Sequence, residues 1–337
     1  MILKTMVIAV ALFFNFNAIA MAADQCEFIR SAVADLPETG GVVNIPEGVY
    51  DCTNMIVLKK SNVVVRGAGR DQTILRLANQ SHSPVLVIGD DNIIKNSTGD
   101  YVTATRVTNV EVSDLTVDGN VENQDVNREC GYGPCDGDVT NIRNNAITIR
   151  GASYVTLARI TAHDSISGGL VSEKYCDHLH VTDFSSYGNH FDGFAGYQTS
   201  DSLFENVNLS RNRGAGISID IDFNNNHFLN GVLESNGDVG IFARDTNDVV
   251  FEKLLITKSG NHGAFLAASE HENTCANRNE FRSVIIEGSR GNGIHISSPC
   301  AGNKVTGNSI FRNNSNGCYF VNYQTKMSVE SSVVCEN

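Results

Sequence analysis

Gly193-Phe-Ala-Gly-Tyr197, Gly216-Ile-Ser-Ile-Asp220 and Gly240-Ile-Phe-Ala-Arg244 are one short phrase written three times, at steps of 23 and 24 residues. Working outward, Gly or Ala anchors fall at Ala146, Gly169, Gly193, Gly216, Gly240, Ala264 and Gly293, with an eighth at Gly317. The steps between them are 23, 24, 23, 24, 24, 29 and 24 residues. After each anchor comes an apolar residue and then strand-like alternation. A fixed period of this length with alternation inside each unit marks a solenoid. The expected fold is therefore all-β, a single-stranded parallel β-helix of 23 to 24 residues per regular coil. Residues one period apart should sit one rung apart, about 4.8 Å along the axis. The sequence thus lists spatial neighbours in rows.

Alternation assigns the rows to faces. The residue after each anchor should point inward, giving the row Ile147, Leu170, Phe194, Ile217, Ile241, Phe265 and Ile294. The second and fourth residues should point outward. The fourth-position row reads Arg150, Glu173, Tyr197, Asp220, Arg244, Ala268, Ser297, Val321. The second-position row, Thr148, Val171, Ala195, Ser218, Phe242, Leu266, His295, Tyr319, is mostly small or apolar. Asparagines precede the anchors by four residues at Asn189, Asn212, Asn236 and Asn313. Stacked Asn side chains can hydrogen-bond from rung to rung, so their expected role is structural.

Other parts of the chain break the period. Met1 to Ala22 has a lysine near its start, a short apolar run and an Ala-Met-Ala end, the pattern of a cleavable signal peptide. Residues 23–337 are then the β-helix domain, exported to the periplasm or outside the cell. Cys26 to Leu36 has helical spacing, with Phe28, Ile29, Val33 and Leu36 as its apolar stripe, and suits a cap over the open end of a solenoid. Strand runs follow at Val63–Arg66, Ile74-Leu75, Val85–Ile88 and Leu115–Val117, and second strands of the regular coils at Val155–Leu157, Leu179–Val181, Leu203–Leu209, Val249–Ile256 and Phe281–Ile286. Two segments, Asp118 to Asn145 and Glu270 to Asn279, leave the period and could wall a binding surface.

Nine cysteines in an exported chain favour disulfides. Proximity suggests Cys26–Cys52, Cys130–Cys135, Cys275–Cys300 and Cys318–Cys335, with Cys176 free. The rival, a zinc site, lacks both the C-x₂-C spacing and paired histidines. A net charge of −13, a pI near 5.1 and no basic block argue against nucleic acid as a partner. No later segment is long and apolar enough to span a membrane. A monomer is expected.

Gly40-Gly-Val-Val-Asn-Ile-Pro-Glu-Gly-Val-Tyr50, Asn62-Val-Val-Val-Arg-Gly-Ala-Gly69 and Leu115-Thr-Val-Asp-Gly-Asn120, in that order after a helix, resemble the pectin-lyase-like superfamily of right-handed parallel β-helices. The resemblance covers essentially the whole mature chain. It implies the handedness and a polysaccharide partner, and it leaves the activity open, since that superfamily holds lyases, hydrolases, epimerases and binding proteins.

Polar groups concentrate on adjacent coils. The candidate catalytic residues are Tyr197, Asp220, Arg244, His190, Asp192 and Arg213. The candidate substrate-binding residues are Arg150, Glu173, Asp222, Phe242, Asp245 and His262. Abstraction of the proton beside a uronate carboxylate, by lyase or epimerase, needs a base and a cation that neutralises the carboxylate. Tyr197 or His190 would be the base and Arg213 or Arg244 the neutraliser. Tyr187-Gly-Asn-His-Phe-Asp192 resembles the Tyr-Gly-x-Asp-Pro-His motif of mannuronan epimerases, without the Pro-His. Hydrolysis needs two carboxylates, for which Asp192, Asp220, Asp222 and Asp245 are available. Asn189-His-Phe-Asp192-Gly193 resembles the Asn-Thr-Asp-Gly segment of polygalacturonase-like hydrolases, but Gly214-Ala215 stands where a paired Asp belongs. The third alternative is a non-catalytic carbohydrate-binding or envelope-structural β-helix, in which the charged row is a solvated ladder of ion pairs. The sequence establishes no cofactor and leaves calcium open. Asp118, Glu122, Asp125, Asp136 and Asp138 offer the oxygen ligands that calcium takes, without any known loop spacing. Asp220-Ile-Asp222 places two carboxylates on one side of a continuing strand.

Overall fold

The computed structural model describes residues 23–128, 141–269, 274–322 and 327–336. The leader at 1–22 and the Cys130–Cys135 pairing lie outside the described residues. Ten short strands stack in chain order into one parallel sheet, here the front sheet: Ile56–Leu58, Leu86–Gly89, Ile147–Arg150, Leu170–Glu173, Phe194–Tyr197, Ile217–Asp220, Ile241–Arg244, Ala264–Ala267, Ile294–Ile296 and Tyr319–Val321. Nearly all other strands pair rung to rung in the same parallel sense, as Ala152–His163, His180–Tyr187, Leu203–Ser210, His227–Glu234 and Val250–Thr257 do. The chain is a parallel β-helix.

Corners let each coil turn. Asn62, Asn109, Tyr154, His178, Asp201, Asn225, Asp248 and Arg278 fall in one row, one per rung, and each has φ between +52° and +60° in the left-handed region. Each flips the chain between two extended segments, which L-residues tolerate at single positions.

Apolar alternation fills the interior. Phe204, Phe228, Phe251 and Phe281 occupy successive rungs, with ring centroids 4.6, 5.6 and 5.0 Å apart and every ring buried. A second column is polar. Asn189 Nδ2 donates to Asn212 Oδ1 at 2.9 Å, and Asn212 Nδ2 to Asn236 Oδ1 at 3.2 Å. The next two rungs carry Ser259 and Ser289, and Asn314, whose Oδ1 accepts from the Ser289 N–H, follows. The sequence reading had Asn313 there. That residue instead takes a corner, at φ +55°.

The same one-residue slip revises the inward row. Ile241 pairs with Ala264, Phe242 with Phe265 and Arg244 with Ala267. Gly263 is therefore the anchor of that coil, Ala264 points inward, and Phe265 faces out. Two small residues in succession fit the anchor equally well, and the large ring favoured the wrong choice. At the last rung Tyr319 pairs with Ile294 and Phe320 with His295, which makes Cys318 the anchor.

The cap is the helix Glu27–Ala34, which buries Ile29 and Val33. Phe28 stays exposed and packs its ring 5.2 Å from Tyr50, so it is not part of the buried stripe. Disulfides join Cys26–Cys52, Cys275–Cys300 and Cys318–Cys335, and Cys176 is a buried free thiol. Cys26–Cys52 ties the cap to the first coil across 26 residues. Replacing both cysteines by serine should cost about 3 kcal/mol on the chain-entropy account. Urea unfolding measures this, and an unchanged midpoint would contradict it.

Candidate functional site

Three rows run side by side along the front face and bound a strip with a small-residue floor, the trough. The fourth-position row is Arg150, Glu173, Tyr197, Asp220 and Arg244, as the strand registers require. The second-position row is Thr148, Val171, Ala195, Ser218, Phe242, Phe265, His295 and Phe320. A third row lies immediately before the anchors and contains Asp192, Ala215, Val239 and His262. On the coils around Tyr197 the middle row shrinks to Ala195 and Ser218. These small residues leave a floor between Asp192 on one side and Tyr197 and Asp220 on the other.

Asp192 is held from beneath. Its Oδ1 accepts the Ala215 N–H at 2.6 Å, and the Ser218 hydroxyl also donates to the carboxylate. Burial nevertheless dominates and pushes its carboxyl up to about 6, with Asp238 adding to the rise. Burial likewise pushes the Tyr197 phenol up to about 12, helped by the negative charge of Asp192, Asp220 and Glu173. Arg143 opposes both shifts. Its guanidinium lies 5.6 Å from the Phe191 ring centroid, beside Asp192 in sequence. The trough therefore holds a carboxyl that changes charge near neutrality and a phenol that stays protonated there.

Asp220 is buried. It accepts from Arg244 Nε at 2.9 Å and from the Ile221 N–H at 2.9 Å. Arg244 is half-exposed and lies 5.7 Å from the Phe242 ring centroid. The strand ends at Asp220, because Ile221 and Asp222 both take left-handed φ, +48° and +58°. This corrects the expectation that Asp220 and Asp222 share one strand face. A β-branched residue in that region is a strained outlier. It sits next to the ion pair that borders the trough.

The remaining sequence candidates separate. His190 groups with Arg213 and Asp164, the charges that act on it, and burial lowers its pKa. Arg150 is fully buried and reaches Glu173 with Nε at 2.6 Å. Expected to be exposed, it is roofed over, so it cannot act as a solvent-facing end of the row. Asp222 is exposed and Asp245 marks the next corner, at φ +47°. His262 lies two rungs beyond Asp220, in the row of Asp192. For calcium, the structure groups Asp118 with His163 and Asp164, not with Glu122 and Asp125. Asp125 instead accepts from Asn127, and Asp136 and Asp138 lie outside the described residues. Arg143 and Ser218 were missed as site residues. Arg143 lies in the aperiodic segment, where no row could flag it, and Ser218 read as mere floor.

Residues 169–334 match the family model described as a right handed beta helix region. The A-module of a mannuronan C-5 epimerase from Azotobacter vinelandii superposes with a TM-score of 0.68 at 18% identity, over 88% of this chain and 76% of that one. This chain folds as a right-handed parallel β-helix. An endo-xylogalacturonan hydrolase from Aspergillus tubingensis has the same fold as this β-helix, with a TM-score of 0.59 at 10% identity over 93% of this chain and 90% of that one. A surface adhesin of Streptococcus pneumoniae aligns with the β-helix at a TM-score of 0.64 and 14% identity, over 93% and 81%. No curated protein matches the sequence. Among the described residues of the β-helix, no helix is long and apolar enough to cross a membrane.

Proposed function

We propose that this protein is an exported enzyme acting on an acidic polysaccharide by proton abstraction beside a uronate carboxylate, as a lyase or an epimerase. One observation carries the reading: a carboxyl near 6 and a phenol near 12 line a trough with a small-residue floor. Asp192, ionised above about pH 6, takes the C5 proton. Arg143 supplies positive charge as the electrons move into the uronate carboxylate. In elimination those electrons then expel the C4 oxygen, which takes a proton from Tyr197. In epimerisation Tyr197 returns a proton to C5 from the opposite face. Either way the phenol is restored by proton exchange. The fold shared with an epimerase supports this reading by analogy. The disulfides support export, with residues 1–22 as the leader that is removed.

Hydrolysis is the second reading. It is favoured by two carboxyls on adjacent rungs, the raised one of Asp192 and that of Asp220, which is paired with Arg244. An adhesin-like binding role is the third. Incubating the mature protein with uronate and neutral glycans separates them. Unsaturated product absorbance identifies a lyase, altered C5 configuration by NMR an epimerase, and new reducing ends without absorbance a hydrolase. Binding without any of these removes the enzyme reading.

A further inference from the structure

Beyond the trough, the middle row changes character. Phe242, Phe265, His295 and Phe320 follow one per rung on the last four coils of the front sheet. Their rings touch in sequence, with centroids 5.9, 5.0 and 4.8 Å apart. Phe320 is 49% exposed at the far end, and the other three are half-buried. His262, in the row of Asp192, sets its ring 4.6 Å from His295 and 5.8 Å from Phe265. Its Nδ1 accepts the Asn292 N–H at 2.9 Å, which leaves Nε2 to carry the proton. Burial and the neighbouring His295 lower the His262 pKa, so the ring is a neutral donor at pH 7.

We infer that this aromatic ladder holds the length of glycan that runs on from the trough, the sugar rings lying along it. The inference rests on the proposed glycan substrate and extends it to a second stretch of the same sheet. Continuity is the first argument. Phe242 begins the ladder directly after Ser218, and Arg244 joins its ring to the Asp220 wall. Width is the second. A stable protein interface takes roughly 20–30 residues a side, whereas this strip is one ring wide and about 15 Å long over three rung steps. A linear polymer fits such a line and a folded partner does not. Lining is the third, because apolar rings beside a neutral N–H donor match the two surfaces of a pyranose.

The test uses Phe265→Ala, Phe320→Ala and the double variant, titrated calorimetrically with oligomannuronates, oligogalacturonates and neutral oligoglucans of increasing length. In the wild type, affinity for the preferred series should rise with length. The double variant should flatten that rise, costing about tenfold for the longest oligomers and least for the shortest. A loss equal at all lengths, no loss, or no glycan bound by the wild type overturns the ladder. So does self-association of the wild type that the variants abolish while glycan affinity stays intact. Length-dependent binding without turnover would sustain the ladder and remove the catalytic reading. Turnover without ladder dependence would do the reverse.

Discussion

Asp192→Asn should cut turnover of the acidic glycan by about 10²- to 10⁴-fold, the usual worth of a positioned proton-transfer group. The amide oxygen can still accept the Ala215 N–H that fixes the side chain, so the substitution removes the proton acceptor and keeps the local geometry. Glu234→Gln, at a half-exposed ion pair with Lys258 on another face, is the control and should leave turnover unchanged. With a carboxyl near 6, the kcat/KM of an abstraction mechanism should rise through about pH 6. Tyr197, near 12, should impose no alkaline limb in the working range. If Asp192 acted as the acid of a hydrolase, activity would instead fall above about pH 6.

The same carboxyl should leave a mark on stability. Its value is raised from 3.8 in the unfolded chain to about 6 in the fold. The contribution is therefore full below about pH 4 and is lost as pH rises through about 6, up to about 3 kcal/mol. Asn cannot ionise. Asp192→Asn should then be more stable than the wild type at pH 8 and not at pH 4, while being nearly inactive. A variant equally stable at both would mean that Asp192 is not buried against its charge, and the pH argument for catalysis would fall with it.

The repeat made the fold legible because a coil of constant length repeats its constraints. The small anchors, the inward apolar residue and the Asn column each recur at the period, and each was read one rung at a time. The reading slipped where two adjacent residues met the same constraint, at Gly263-Ala264, and the slip carried Phe265 to the wrong face. The ladder was hidden twice over, Phe265 by that slip and Phe320 by the opposite one at Gly317-Cys318. The trough was partly legible, since Tyr197, Asp220 and Arg244 sit on one row that alternation predicts and Asp192 falls in the turn before an anchor. What alternation cannot report is cover. Arg150 and Arg244 occupy the same row, yet one is fully buried and the other half-exposed. Arg143 lies in the aperiodic segment, where the period gives no row to read. The sharp corner at Ile221 was likewise invisible, since a β-branched residue is the last to expect at positive φ.

Phe228→Ala should be the most destabilising single change in the core. Its ring stacks on Phe204 and Phe251 at interplanar angles of 15° and meets Phe194 edge-on at 5.7 Å, all of them buried. Truncating a buried Phe costs about 3–5 kcal/mol in lost transfer energy and cavity. In a globular core, neighbours from many directions can relax into the hole. Here each rung is fixed by parallel hydrogen bonds above and below, so collapse along the axis is blocked and the upper end of that range is expected. A solenoid couples each repeat only to its neighbours. The loss should therefore split urea unfolding into two steps, with the coils on either side of Phe228 melting separately. Phe242→Ala, one rung further on but pointing outward, should shift the midpoint by less than about 1.5 kcal/mol and keep a single transition. A single transition for Phe228→Ala, with a loss no larger than that of Phe242→Ala, would show that the stacked rings do not couple the coils.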